Sequence, residues 1–198
     1  MARPKSYDRD DVILKAKDAF WEHGYQALGV RAIEAQTGLG SFALRTDFGG
    51  KEQLLLEALA AYREEMETYV ARIMDDSDRI ETIVAALEQM VTPYPGSMRR
   101  FGCLMTALVS ELPSIGSQAV SDAVNAHFDR IGASTAGLVE RAQRAGNARP
   151  NLEPEKCGKY VVGVVGGLQT INRRAGRIDA AKDFVNIAIS EVQRWSTA

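Results

Sequence analysis

Features that announce a chemistry are scarce in this chain. Its 198 residues include two cysteines, Cys103 and Cys157, and no C-x-x-C pair. That excludes a disulfide scaffold and suits a reducing cytosol. The two histidines, His23 at a helix end and His127 mid-helix, lack metal-ligand spacing. No metal is expected, and His127 reads as a surface or interface side chain. Neither a G-x-S-x-G elbow nor a P-loop occurs, and no polar catalytic constellation is evident. The expectation is no enzyme and no cofactor. No apolar run approaches the ~20 residues of a membrane span; the longest, Val161 to Leu168, is diluted by glycine. The N-terminal MARPKSYDRDD lacks the apolar core of a signal peptide, so a cytoplasmic protein is expected. An excess of positive charge is missing too. Residues 1–52 carry eight basic and eight acidic groups, a weak electrostatic footprint for nucleic acid.

What is present is helical periodicity from end to end, with no convincing strand pattern. Helix one spans roughly Arg9 to His23, with Val12, Ala16, Ala19 and Phe20 on one face. A long helix after Lys51 keeps Leu55, Leu59, Tyr62, Met66, Tyr69 and Ile73 on one stripe over five turns, reaching about Asp75. Asp78 to Glu81 has capping-box form, followed by an inward stripe of Ile80, Val84, Leu87 and Val91. After the break at Pro93 to Gly96, further helices are predicted over Met98–Leu112, Gln118–Ala145, 155–174 and 180–195, with Asp179 as a cap for the last. The fold class is all-α with about nine helices.

The stretch Leu28 to Glu52 is the most specific. It reads as two short helices around Gly38, a turn position that needs positive φ. Val30, Ile33 and Leu39 point inward, and Leu44 and Phe48 anchor the second short helix. Such stubby helices make sense as a mount for one projecting helix, which is helix-turn-helix logic. Gly38-x-Gly40-x-x-Ala43 imitates a dinucleotide fingerprint, but that motif must follow a strand, and a helix precedes it here.

These residues resemble the DNA-binding head of the TetR family of bacterial transcriptional regulators. The resemblance rests on Ala19-Phe20-Trp21-Glu22-His23-Gly24-Tyr25, Ile33, Gly38-Leu39, Leu44, Phe48 and Lys51-Glu52, in family order and spacing. It implies a helix-turn-helix, three-helix head over residues 1–52 and a helical ligand-binding and dimerisation domain over 53–198. By position, the family's four-helix dimer seam falls on 118–145 and 155–174, with Val161 to Leu168 in it. Two departures stand out: relatives mostly carry Leu-Tyr where Leu44-Arg45 stand, and Ser, Thr or Asn where Gly29 and Gly40 open the short helices. Ser41 is then a candidate displaced cap.

The recognition element is expected at Ser41 to Thr46, with Ser41, Phe42, Arg45 and Thr46 facing the groove and Arg31 beside it. Arg45 can take a guanine edge or grip phosphate. Lys51, opening the long helix, suits a phosphate clamp, and an Arg3–Lys5 arm could reach a minor groove. Candidate ligand-lining residues are Tyr62, Met66, Met90, Phe101, Cys103, Met105, Phe128, Tyr160 and Gln169. Cys103, in a Gly-Cys-Leu segment with Arg99 and Arg100 behind it, is either a buried small hydrophobe or a reactive thiol. The segment resembles that of a TetR subgroup with cysteine sensors. The expected function is a homodimeric, ligand-responsive repressor on an inverted-repeat, double-stranded operator, released by a small-molecule inducer (electrophiles included) or by thiol modification. The alternative is a small-molecule-binding or scaffolding protein whose head no longer reads DNA.

Overall fold

A computed structural model of the chain describes residues 7–93 and 102–197, the side chains of 67–72 excepted. Among the described residues are ten α-helices and one π-helical turn, and the only β-type pairing is an isolated bridge between Ala148 and Ser196. The chain divides into two compact units, residues 1–65 with 107–125, and residues 66–106 with 126–198.

In the first unit, α1 (Arg9–His23) starts where Asp8 accepts from the Asp10 and Asp11 amides, and it stops at Gly24, whose φ is 78°. Val12, Ala16, Ala19 and Phe20 are buried as their spacing requires. Next come α2 (Val30–Thr37) and α3 (Ser41–Asp47), joined through Gly38 in the left-handed region at φ 73°. Ile33, Leu39, Leu44 and Phe48 form the core beneath them. Val30 does not join it and is 43% exposed. As the first residue of α2, its side chain tilts back toward the helix start, past the edge of the core.

The helix α4 (Lys51–Val70) buries Leu54, Leu55, Leu59 and Tyr62. It gives way to a π-helical turn over Ala71–Asp75 instead of continuing as α-helix to Asp75. Tyr69 lies outside the described side chains. Arg130 reaches Asp75 at 2.6 Å, and Arg141 donates to the carbonyls of Met74 and Ser77, holding that turn in the second unit.

The remaining helices are α5 (Glu81–Gln89), α6 (Leu104–Val109), α7 (Leu112–Ile115), α8 (Gln118–Arg144), α9 (Pro154–Ala175) and α10 (Lys182–Gln193). The helix expected over Met98–Leu112 is shorter and split, and residues 98–101 lie outside the described residues. Pro113 sits in the first turn of α7, where its missing N–H costs nothing. The two predicted aspartate caps are not used. At α5, Ser77 and Thr82 hydroxyls pair at 2.6 Å and Ile80 takes the cap position without a side-chain bond. At α10, Ala181 is the cap residue and its amide donates to Asn172 Oδ1 at 2.9 Å.

The second unit's core joins α5, α8, α9 and α10 through Ile80, Leu87, Leu138, Leu168, Val185 and Val192, among others. Where α8 crosses α9, a side chain on Gly158 would overlap the Gly132 backbone. Gly158 of α9 thus allows a close helix–helix approach within one chain.

Candidate nucleic-acid interface

On α3, Leu44 is 1% exposed and turns inward, while Phe42 is 71% exposed and Ser41, Arg45 and Thr46 also face outward. All four predicted groove-facing residues therefore lie on one exposed side of a helix of two turns. The helix opens at Gly40, which has the extended cap conformation but no side-chain acceptor. Ser41 does not replace the cap with its hydroxyl. Its backbone N–H donates to the Glu34 carboxylate, while the Glu34 carbonyl accepts the Gly38 amide that closes α2. One residue thus finishes the first short helix and starts the second. Sequence reading missed Glu34, because the cap lies seven positions before the amide it serves.

The neutral charge tally conceals a partition. Arg9 pairs with Glu57 at 2.6 Å and lies 4.2 Å over the Phe48 ring; Lys15 pairs with Asp11, and Lys17 with Glu65. Arg31 and Arg45 are exposed and have no ion-pair partner among the described residues. Asp47, the acidic group of α3 itself, accepts from the Tyr7 hydroxyl. Lys51 is half-buried, with Nζ 4.0 Å over the Tyr25 ring. Burial pulls its pKa down, and the charge of Glu111 works the other way. Arg3 and Lys5 fall outside the described residues.

The ligand-side candidates fall in both units. Tyr62 is buried edge-on against Trp21 in the first unit, at 5.3 Å between centroids. Tyr160 is 38% exposed on α9, against Trp195. Met66 is half-buried, Met90 packs on the second unit's core, and Phe101 lies outside the described residues. The structure does bring together residues at the start of α6. Cys103, the residue before that helix, has Sγ 3.8 Å from Nε2 of His127, and both are buried. His127 is therefore no surface side chain; it faces the thiol from α8 and meets Phe128 edge-on. Gly102, at φ 75°, backs directly onto Gln169, and Met105 is fully buried. Arg99 and Arg100 lie outside the described residues.

Within its own unit α8 buries Leu138, Val139 and Ala142. On α10, Phe184 is 39% and Ile187 73% exposed.

A short helix seated on one buried leucine, capped from the helix before it and presenting an exposed arginine and aromatic, defines a helix-turn-helix DNA-binding protein. Residues 12–58 match the family described as bacterial regulatory proteins, tetR family, and residues 76–188 match the tetracyclin repressor-like C-terminal domain. The HTH-type transcriptional repressor ComR of Escherichia coli (strain K12) is 31% identical over 195 residues, covering 98% of this chain and 91% of that relative. Among solved structures, a cysteine mutant of the TetR family regulator CifR complexed with 26-base-pair double-strand operator DNA superposes with a TM-score of 0.76 at 24% identity, covering 97% of this chain and 98% of that one. A TetR family regulator from Cytophaga hutchinsonii reaches 0.83 at 15% identity, with 98% and 100% covered. The chain belongs to the TetR family and is a ligand-responsive, DNA-binding transcriptional regulator. Among the described residues no helix is long and apolar enough to cross a membrane.

Proposed function

We propose that this chain is a cytoplasmic, homodimeric repressor that binds an inverted-repeat operator through residues 1–52 and is released through residues 53–198. The observation that carries the reading is the outward face of α3, with Phe42 and Arg45 exposed over a buried Leu44. Arg45 reads a base edge or grips phosphate, Phe42 supplies apolar contact such as a thymine methyl, and Arg31 and Lys51 hold backbone phosphates. Phe184 and Ile187 of α10 with Tyr160 of α9 meet their copies across a two-fold axis, setting the two heads about 34 Å apart. Operator release follows a small molecule, or modification of the Cys103 thiol, at the start of α6. The Cys103–His127 approach favours this, since a histidine ring nitrogen within reach of a thiol can take up its proton as the thiolate reacts. Each tenfold loss of DNA affinity requires about 1.4 kcal/mol of ligand preference for the released state.

Fluorescence anisotropy with duplexes from the chain's own upstream region tests the DNA reading. Specific binding near physiological salt, abolished by Arg45→Ala, is expected. Binding that appears only at very low salt and ignores Arg45→Ala would overturn it in favour of a helical ligand-binding protein with an inert head.

A further inference from the structure

Residues 107–125 belong to the compact unit built on residues 1–65, although the chain on both sides of them belongs to the other unit. Two side chains tie this segment to the head. Ser117 donates its hydroxyl to Glu52 at 2.7 Å. Glu111, the residue before α7, gives both carboxylate oxygens to the turn after α1: Oε1 accepts from the Tyr25 amide at 3.2 Å and Oε2 from the Gln26 amide at 2.7 Å. The fit is close enough that a side chain on Gly24 would collide with Oε1. Tyr25 in turn carries Lys51 over its ring at 4.0 Å. A path of direct contacts therefore runs from Glu111 through the Tyr25 amide to the ammonium at the head of α4.

Two neighbouring backbone N–H donors call for an acceptor with two oxygens. A carboxylate meets both, whereas a carboxamide presents one oxygen and turns an NH2 toward the second donor. The negative charge also lies near Lys51, where it partly offsets the burial that lowers the pKa of that ammonium.

We propose that Glu111 is a positioning residue for operator binding: its carboxylate fixes the Gly24–Gln26 turn, and through Tyr25 it aims the Lys51 ammonium at a backbone phosphate. The segment that carries Glu111 follows the C-terminal end of α6, the end opposite Cys103. This rests on the reading of Lys51 as a phosphate contact.

The test is a double-mutant cycle of Glu111→Gln and Lys51→Ala in the full chain, read by operator anisotropy across a salt series. Glu111→Gln is expected to weaken operator binding about tenfold per head, hence about a hundredfold for two heads, the scale of a lost charge-assisted hydrogen bond in each. It should also flatten the salt dependence of log K by about 1.8, from two heads each losing one phosphate. In the Lys51→Ala background it should add little further loss. Equal losses in both backgrounds with an unchanged salt slope would reduce Glu111 to a structural residue and overturn the proposal. Lys51→Ala without effect on affinity or slope would instead sink the phosphate reading beneath it. Amide exchange in the unmutated protein gives a check that no folding defect can blur. Protected Tyr25 and Gln26 amides are expected, and exchange at open-turn rates would refute the clamp.

Discussion

Removing the Glu34 carboxylate offers the sharpest test of how this head holds its recognition helix. The helix α3 spans Ser41–Asp47, too short to persist alone, since isolated helices below about 12 residues are marginal in water. Its stability comes from Leu44 and Phe48 beneath it and from the start of the helix, where Gly40 provides no side-chain acceptor and Glu34 serves the Ser41 amide instead. Loss of an N-cap acceptor costs about 1 kcal/mol, which is roughly a fivefold shift in the ratio of intact to frayed heads. The proposed dimer needs both heads intact, so Glu34→Ala should weaken operator binding, by up to about 25-fold where the intact head is the minor form. The melting temperature should drop by about 2–4 °C. Charge works in the opposite direction, because deleting a carboxylate near the groove face relieves repulsion from phosphate. Glu34→Gln separates the effects: it retains an acceptor oxygen without the charge and should bind at least as well as the parent.

Rescue decides the matter. Gly40 has φ −64° and ψ 151°, the usual cap conformation, and a Cβ there meets nothing within 4 Å. Gly40→Ser therefore supplies a side-chain cap at that position, and in the Glu34→Ala background it should recover most of the lost affinity. Anisotropy at fixed salt, paired with thermal denaturation, reads both quantities. If Glu34→Ala leaves affinity and melting temperature unchanged, or Gly40→Ser fails to restore them, the cap argument is wrong.

Ile187→Asp, which places a charge on the most exposed large apolar side chain of α10, should convert the dimer to monomer in sedimentation and remove specific operator binding; a dimer that persists would exclude this face. The two thiols should differ as well. Burial pushes the Cys157 thiol above its ordinary pKa, so alkylation of native protein at neutral pH should spare it and mark Cys103, releasing the operator; Cys103→Ser should abolish that release. For Cys157 the sign for stability follows: its contribution is fully present below the ordinary thiol pKa and is lost as pH climbs through the raised value, so a Cys157→Ala variant should show a shallower alkaline fall in melting temperature.

Much of the fold was readable because periodicity and glycine act locally. The bounds of α1, the left-handed Gly38 and the burial of Ile33, Leu44 and Phe48 each follow from spacing within a turn or two. The acceptors that serve several helix starts were not readable, and for one physical reason. The orphan amides of a helix or turn accept any well-placed oxygen, however distant in sequence. Glu34 serves Ser41, Asn172 serves Ala181, and Glu111 serves Tyr25 and Gln26. At α5 and α10 the local aspartates were passed over, since Ser77 paired with Thr82 and Asn172 came from the neighbouring helix. His127 was misjudged for the same kind of reason. Its partner Cys103 is 24 positions away and meets it only where α8 passes the start of α6. In the ligand-side list, apolar size chose the residues, but size cannot tell a core side chain such as Tyr62 from one that borders a ligand.

Equal numbers of basic and acidic groups in the head suggested a weak DNA binder, and the pairing pattern removes that objection. A charge matters to a polyanion only if it faces the polymer and is not already neutralised within a Debye length of about 8 Å. Arg9, Lys15 and Lys17 are neutralised by Glu57, Asp11 and Glu65, and Asp47 is engaged by Tyr7. Arg31 and Arg45, which have no ion-pair partner among the described residues, then stand out beside these three closed pairs. Such a head gains little from indiscriminate attraction and much from correct docking, because its few cations reach phosphate or base only when α3 lies in the groove. Low net charge thus shifts the balance of binding energy from sequence-independent attraction toward recognition, which suits a regulator that must leave its site when a modest coupling energy is applied.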